Sequence, residues 1–392
     1  MEPDKHSHAK KRKHKKSFIQ RAKKHCKKGN HGKGSYLDED TFQYFLRVLD
    51  VVQENNFTNE EDKDLAYNNL TSGLLQSLLF ATKASSKKET KKLISQLLDD
   101  CFTRVGENSK KEDGVKNKKK ISDDPQILAV FENVAAAHLL EAALSVAEKK
   151  SLTQIYARCF INQMVLLSKT SSSNFAVQRL LDNCSQKEEF DEMYNEMENH
   201  LEEILASGNT GVLLSLATGC RRLVTKQGSF QQSLMKALHC FEPNERQSQL
   251  APLTLRLQTF EQQDSDNIRI HLHGSLILQA LLYFNKPIKT VDSIVEMKQA
   301  DLKKYVALAC SKHGSRSLDA IWEAASLKHK CMIMDDLANN SAILNSDQFG
   351  SIISSKYNLS LYTHRKEDWK DAQKKENRTK ELFADIIGDA KK

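Results

Sequence analysis

The chain has 392 residues, of which 39% are hydrophobic and 28% charged, and this supply of apolar residues excludes a chain that is disordered throughout. Its formal net charge is +8. Residues 1–34 hold 13 Lys and Arg against two acids, a net of +11, so the other 358 residues carry −3. No apolar run approaches the roughly 18 to 20 residues that cross a bilayer, which disfavours a membrane span and a secretory signal.

The first 34 residues form a predicted disordered basic tail, because they lack any apolar period. Its basic run has the composition of a nuclear or nucleolar targeting signal or a nucleic-acid patch, and a merely solubilising tail is the alternative. The targeting residues would be Lys10, Lys11, Arg12, Lys13, Lys15 and Lys16. Five histidines also lie here, but repulsion from the lysines argues against a metal site.

Beyond the tail, apolar residues recur at helical spacing, starting with Phe42, Phe45, Leu46 and Leu49, which predict an amphipathic capping helix. No segment alternates like a strand, and Gly and Pro are few. The eight cysteines are scattered singly, as in proteins with reduced thiols. The sequence therefore predicts an all-α chain, with a helical array over residues 35–385, loops at 107–124 and 260–268, and a tail at 386–392.

A five-residue frame recurs along this chain, with Asn174-Phe175-Ala176-Val177-Gln178 as its template. Positions 1 and 5 are mostly polar, position 2 can stack on a base, and positions 3 and 4 are mostly apolar. The frames begin at Ser72, Ala137, Asn174, Thr210, Ser275, Ser315 and Ser351. Their spacings are 65, 37, 36, 65, 40 and 36 residues, and both long ones span polar inserts. Such a period predicts stacked helical repeats.

On a helix, positions 1 and 5 lie one turn apart on one face, with position 2 beside them. Polar groups at positions 1 and 5 can bond a base edge while position 2 stacks, as in helical-repeat RNA readers. The candidate RNA-binding residues are Ser72, Gln76, His138, Glu141, Asn174, Phe175, Gln178, Ser275, Gln279, Ser315, Arg316, Asp319 and Ser351. Asn174, Phe175 and Gln178 are expected to be exposed. The alternative is an ordinary amphipathic helix in which Phe175 belongs to the core.

The template, with His138-Leu139-Leu140-Glu141 before it and His273-Gly274-Ser275 and His313-Gly314-Ser315 after it, resembles pumilio (PUF) repeats. Further segments are similar to the nucleolar protein 9 family. They are Leu37 to Phe45, Cys240 to Gln247, and Phe349-Gly350 through Asp368-Trp369 to Ile387. The resemblance implies a C-shaped or U-shaped α-solenoid that binds pre-ribosomal RNA near the 3′ end of small-subunit rRNA. There the family restrains premature cleavage by a PIN-domain endonuclease.

The resemblance also implies roles for single residues. Asn174, Phe175 and Gln178 match a uracil-reading set. The set Ser315, Arg316 and Asp319 is similar to the guanine-reading Ser-Arg-x-x-Glu set. Asp319 stands at the place of the glutamate and is one methylene group shorter. Ser275 and Gln279 resemble an adenine reader, although Leu276 stacks less well than an aromatic ring. The frames beginning at Ala137, Thr210 and Ser351 depart from the family pattern and are expected to serve as scaffold.

No phosphate loop, nucleophile elbow or metal-ligand spacing is present in the sequence, so neither an enzyme nor a cofactor is predicted. The expected partners are pre-ribosomal RNA and proteins of the pre-ribosomal particle, and no membrane association is expected. The protein is expected to be a monomer in the nucleus and nucleolus. A HEAT-like or armadillo-like protein-binding scaffold is the alternative, and the net −3 of the body favours it. Basic residues beside the frames, such as Arg179, Lys312 and Lys356, favour RNA instead.

Overall fold

The computed structural model describes residues 64–104, 127–262, 269–296 and 304–389. The predicted basic tail, the capping helix near Phe42, the predicted loop at 107–124 and residues 263–268 lie outside these ranges. The chain divides into two units, residues 1–65 and 66–392, and the helices described below belong to the second.

Twenty-one α-helices run through the described residues, and the described part contains no β-strand. The first eleven are α1 (Asn69–Ser85), α2 (Lys87–Leu97), α3 (Ala129–Glu132), α4 (Val134–Val146), α5 (Lys149–Ile155), α6 (Met164–Lys169), α7 (Asn174–Asn183), α8 (Lys187–Met197), α9 (Leu201–Ala206), α10 (Thr210–Leu223) and α11 (Gln227–Ala237). The others are α12 (Leu250–Arg256), α13 (Leu272–Leu282), α14 (Ile288–Glu296), α15 (Lys304–Ala309), α16 (Gly314–Ala324), α17 (Leu327–Asn339), α18 (Ser341–Ser346), α19 (Gln348–Lys356), α20 (Leu359–His364) and α21 (Lys366–Asp389). The predicted all-α class is confirmed.

Seven of these helices form a continuous row in which each packs against the next: α1, α4, α7, α10, α13, α16 and α19. We call this row the ladder. All seven sequence frames lie on ladder helices, one on each. Positions 3 and 4 of the frames are buried as predicted, except for half-buried Leu74 and Ser354. Burial of these apolar side chains removes hydrocarbon surface from water, which stabilises the ladder by about 1.5–3 kcal/mol for each fully buried Leu or Val.

A short helix precedes each ladder helix from α4 onward and packs against it: α3, α6, α9, α12, α15 and α18. Four of these short helices, α6, α9, α12 and α15, also pack against the helix that follows the ladder helix of the same repeat. One repeat is thus a short helix, a ladder helix and a third helix. Where the frames are 65 residues apart, α1 still packs directly on α4 and α10 on α13, so the additional residues do not interrupt the ladder.

Three ladder helices carry, within their first three residues, a glycine that meets backbone carbonyls of the preceding short helix. A Cβ atom at Gly314 would lie 2.7 Å from the Leu308 oxygen, and one at Gly350 would lie 2.8 Å from the Leu344 oxygen. At Gly274 it would overlap the Thr254 oxygen. The Gly-Ser step of the sequence motif is therefore a close backbone approach, which only glycine permits without displacement.

An aromatic cluster packs on the last ladder helices. The rings of Trp322 and Tyr357 stack with centroids 3.9 Å apart, and Trp369 meets Tyr362 edge to face at 4.9 Å. The Trp369 indole N–H donates to the Tyr357 carbonyl oxygen at 2.9 Å, which satisfies the one polar atom of a ring that is 1% exposed. Helix α21 begins beside this cluster and continues to Asp389, so residues 386–389 of the predicted tail are helical. No described helix has the length and apolar character that a membrane crossing requires.

Candidate nucleic-acid interface

The frames are joined by side-chain contacts that repeat in one register along the ladder. At three of the six junctions, position 1 of a frame contacts the residue two places before the next frame. The Ser72 hydroxyl donates to the Ala135 carbonyl oxygen at 2.6 Å, and the Ser275 hydroxyl donates to the His313 carbonyl oxygen at 2.8 Å. At the α10–α13 junction, Thr210 Oγ1 lies 2.8 Å from His273 Nδ1. The frame that was aligned from sequence is thus the structural register of the repeats.

This register places position 1 in the helix junctions, and the expectation that Asn174 is exposed is wrong. Asn174 is 3% exposed, and its side-chain amide donates to the carbonyl oxygens of Thr170 and Ser171. Ser72 and Ser275 are each 1% exposed, whereas Ser315 and Ser351 are half-buried. A polar side chain buried in this way must form its hydrogen bonds within the protein. It is therefore not available to bind a base.

Position 5 is half-buried in six frames and exposed in the frame on α19, and three frames carry glutamine there. Each glutamine donates from Nε2 to position 1 one turn earlier. Gln76 reaches Ser72 Oγ at 3.1 Å, Gln178 reaches Asn174 Oδ1 at 3.0 Å, and Gln279 reaches Ser275 Oγ at 3.2 Å. The bond fixes the orientation of the amide and leaves Oε1 as an acceptor. An acceptor on this surface suits the N–H groups of a base edge.

Position 2 carries an exposed side chain in four of the seven frames. Phe175 is 54% exposed, which excludes the alternative that it belongs to the core, and His138, Arg316 and Ile352 are also exposed. Position 2 of the α10 frame is Gly211, and a Cβ atom there would lie 2.6 Å from the Gln178 amide. We call the side chains at positions 2 and 5 of the seven frames the interface strip.

The frame on α16 departs from the simple guanine-reading expectation. Asp319 Oδ1 accepts from the Tyr357 hydroxyl at 2.9 Å and pairs with Lys356 Nζ at 2.8 Å. The carboxylate is therefore already engaged by the next repeat. Arg316 is exposed and forms no ion pair with a described residue.

The frame on α4 places a histidine and an acid side by side. His138 is exposed and Glu141 is half-buried. Burial raises the pKa of the Glu141 carboxyl, and the nearby charges of His138 and Arg179 pull it back down. Arg179 comes from the next ladder helix, so opposite charges approach each other across the α4–α7 junction. Nowhere in the described ranges do three or more acidic, His or Cys side chains gather as a metal site.

We expect Ser275→Ala to lower stability more than it lowers any binding affinity. The change removes the bond to His313 and strips the Ser317 hydroxyl of a partner 2.8 Å away. Leaving buried polar groups unsatisfied costs about 1–3 kcal/mol. Ser351→Ala is the matched control, since the Ser351 hydroxyl is half-buried and bonds Gln348 within its own helix. Urea denaturation measures both, and an unchanged midpoint for Ser275→Ala would contradict the junction role.

A family model described as the NOP9-like PUF repeat domain matches residues 2–304. The chain belongs to this family. The five frames within the matched residues thus lie in NOP9-like PUF repeats, and the resemblance read from the sequence is confirmed. The match runs from the first residues through the frame on α13.

Curated relatives agree with this assignment. Nucleolar protein 9 of Mus musculus is 29% identical over 332 residues, which cover 71% of this chain and 52% of the mouse protein. Nucleolar protein 9 of Homo sapiens is 28% identical over 306 residues, 64% of this chain and 48% of the human protein. Pumilio homolog 23 of Arabidopsis thaliana is 21% identical over 340 residues, covering 76% and 45% of the two chains. The chain spans about half the length of these relatives.

Solved structures share the fold. A structure of APUM23 with GGAAUUGACGG superposes with a TM-score of 0.57 at 19% identity, covering 84% of this chain and 69% of that one. A form of APUM23 with its insert region deleted, with the same oligonucleotide, gives a TM-score of 0.57 at 20% identity, covering 80% and 67%. The pumilio-type solenoid predicted from the sequence is confirmed.

Proposed function

We propose that this NOP9-like PUF repeat protein binds single-stranded pre-ribosomal RNA in the nucleolus, near the 3′ end of small-subunit rRNA. There it would act in small-subunit biogenesis and 18S rRNA maturation, as a monomer among the proteins of the pre-ribosomal particle. The single observation that carries the proposal is the interface strip, which places oriented amide acceptors on α1, α7 and α13 and exposed position-2 side chains on α4, α7, α16 and α19 in one register of seven adjacent helices.

The chemistry of the strip supports RNA over an unspecific surface. Gln76, Gln178 and Gln279 each offer an oriented amide oxygen, and Phe175 offers an exposed ring beside one of them. Stacking of a base on such a ring contributes about 1–3 kcal/mol, and the amide oxygen then selects among base edges. Nucleolar localisation is supported by the two relatives named nucleolar protein 9.

The residues of the interface strip differ from repeat to repeat, so the repeats differ in what they can offer to a base. The frame on α7 combines a ring with an oriented amide, whereas the frame on α10 has Gly211 and Leu214 at positions 2 and 5. Asp319 on α16 is held by Lys356 and Tyr357. We therefore assign base reading first to α7, then to α13 and α1, and assign to α10 a spacing role.

Crosslinking of the full chain to RNA in cells, followed by sequencing, tests this proposal. The expected result is crosslinked reads concentrated near the 3′ end of the small-subunit rRNA precursor, and crosslinked peptides that contain strip residues. A Phe175→Ala, Gln178→Ala variant serves as the control and should lose reads in that region. A protein-binding scaffold would instead give no enrichment over an unrelated helical-repeat protein, and that result would refute RNA binding.

A further inference from the structure

Two exposed aromatic side chains lie on the same face of the ladder helices as the interface strip. Phe80 on α1 is 52% exposed, and Tyr283, which directly follows α13, is 51% exposed. Each lies eight residues after position 1 of its frame, at a place that we call position 9. Position 9 follows position 2 by seven residues and position 5 by four, so the three positions share one helix face and position 5 lies between the other two. A ring at position 9 therefore flanks position 5, as a ring at position 2 does.

The rings at position 9 occur in frames whose residue at position 2 is not aromatic. The frames on α1 and α13 carry an oriented glutamine at position 5, but Gly73 and Leu276 stand at position 2. The frame on α7 has the reverse arrangement, with exposed Phe175 at position 2 and Asp182 at position 9. In the four frames without glutamine, position 9 holds Ser145, Thr218, Glu323 or Leu359. Each of the three frames with an oriented glutamine thus presents one exposed aromatic ring beside it.

Tyr283 stacks against a cation from the neighbouring ladder helix. The guanidinium carbon of Arg221 lies 4.3 Å from the centroid of the Tyr283 ring. Arg221 belongs to the last turn of α10 and follows Leu214, at position 5 of that frame, by seven residues, so it shares the face of the strip. The Tyr283 backbone N–H donates to the Ala280 carbonyl oxygen at 3.1 Å, which keeps the residue in helical register. A base can extend this stack, because bases stack both on aromatic rings and on guanidinium planes.

Lysines follow both rings. Residues 80–88 and 283–291 each contain lysines and no acid, and one exposed lysine, Lys83 or Lys286, lies three residues after each ring. Lys83 Nζ donates to the Ser145 carbonyl oxygen at 2.9 Å, and its ammonium group has two further donors. Arg221 is exposed and forms no ion pair with a described residue. A nucleotide whose base meets either ring therefore brings its phosphate towards a cation, which favours RNA over an uncharged apolar partner.

We propose that Phe80 and Tyr283 each stack on one base of the bound RNA, in place of an aromatic ring at position 2 of their frames. The inference rests on the proposed function, since the strand must first lie along the strip. Every base has a π face, so the rings supply affinity at these two repeats without selecting the base. The selection stays with the oriented amide oxygens of Gln76 and Gln279, each four residues before its ring.

The first arm of the test measures the affinity of the full chain for single-stranded RNA fragments from the 3′ end of the small-subunit rRNA precursor. Tyr283→Leu keeps an apolar side chain but removes the ring, and it should lower affinity about 10-fold. Tyr283→Phe keeps the ring and should bind as tightly as the unmodified protein. Ile343→Ala is the matched control, since Ile343 is 53% exposed on α18, outside the ladder. Equal affinities of Tyr283→Leu and the unmodified protein would overturn the inference.

The second arm separates base stacking from any other effect of the ring. In the fragment that binds most tightly, one base at a time is replaced by an abasic site, which keeps every phosphate. Removal of the stacked base should weaken binding to the unmodified protein but cost Tyr283→Leu nothing further, because the two changes remove the same contact. Phe80→Leu should show this non-additivity at a different nucleotide, since α1 and α13 are four places apart in the ladder.

The outcomes distinguish this inference from the proposed function. If Tyr283→Leu lowers affinity by the same factor for every abasic RNA, the ring does not stack on a base and the inference is overturned. If both leucine variants bind the fragments as the unmodified protein does, RNA binding stands and only the stacking role is refuted. If the unmodified protein binds none of the fragments, the proposed function is refuted and the inference falls with it.

Discussion

Replacing Phe175 and Gln178 together by alanine should weaken binding of a uracil-containing single-stranded RNA by about 10- to 100-fold. The ring is exposed and Gln178 Oε1 is the acceptor beside it, so the change removes a stacking surface and a hydrogen bond at one repeat. Fluorescence anisotropy with a labelled oligonucleotide measures the loss. Asn174 stays in place because it is buried and its removal would disturb the α7 start.

The control for this double variant is Met332→Ala. Met332 is an apolar side chain of similar exposure on α17, outside the ladder. Its replacement should leave RNA affinity unchanged, and far-ultraviolet circular dichroism should show unaltered helix content for both proteins. Equal affinities of the double variant and the unmodified protein would remove the α7 frame from the set of RNA readers.

Gly274→Ala should destabilise the protein by about 2 kcal/mol, the typical cost of forcing an atom into a packed site. The new methyl group would overlap the Thr254 carbonyl oxygen and lie 2.8 Å from the Leu255 oxygen. Both obstacles are backbone, so α13 must move away from α12. The movement also pulls on the His271 N–H, which donates to the Leu255 oxygen at 2.8 Å.

Gly73→Ala is the matched control for Gly274→Ala. Gly73 also lies early in a ladder helix, but nothing lies within 4 Å of a Cβ atom built there. Alanine is favoured over glycine in a helix by about 0.5–1 kcal/mol, so this variant should gain stability. Urea denaturation followed by circular dichroism compares the two. A stability of Gly274→Ala equal to that of Gly73→Ala would show that the α12–α13 approach is not tight.

The sequence predicted the helical class and the register of the frames because ladder helices are long enough to show the helical period. The short helices were not predicted from the sequence. Helices such as α9 (Leu201–Ala206) and α15 (Lys304–Ala309) have less than two turns, so their apolar residues form no recognisable series. Their positions follow from tertiary contacts with the ladder.

The candidate site was only partly accessible to the same reasoning. Phe175 and Gln178 could be chosen because helix geometry places them on one face. The burial of Asn174 and Ser275 could not, since a small polar residue is equally common on a surface and in a satisfied junction. The capture of Asp319 by Lys356 and Tyr357 joins residues about 37 positions apart, which a five-residue frame does not contain.

Helix α1 packs directly on α4, and α10 packs directly on α13. The number of residues between two frames therefore does not set the spacing of their helices in the ladder. Frames 65 residues apart occupy neighbouring places just as frames 36 residues apart do. Each doubling of a connecting loop costs only about 0.6 kcal/mol in closure entropy, less than one buried leucine contributes. Insertions at these two places can therefore accumulate over evolution, and acquire functions of their own, while the pitch of the repeats stays the same.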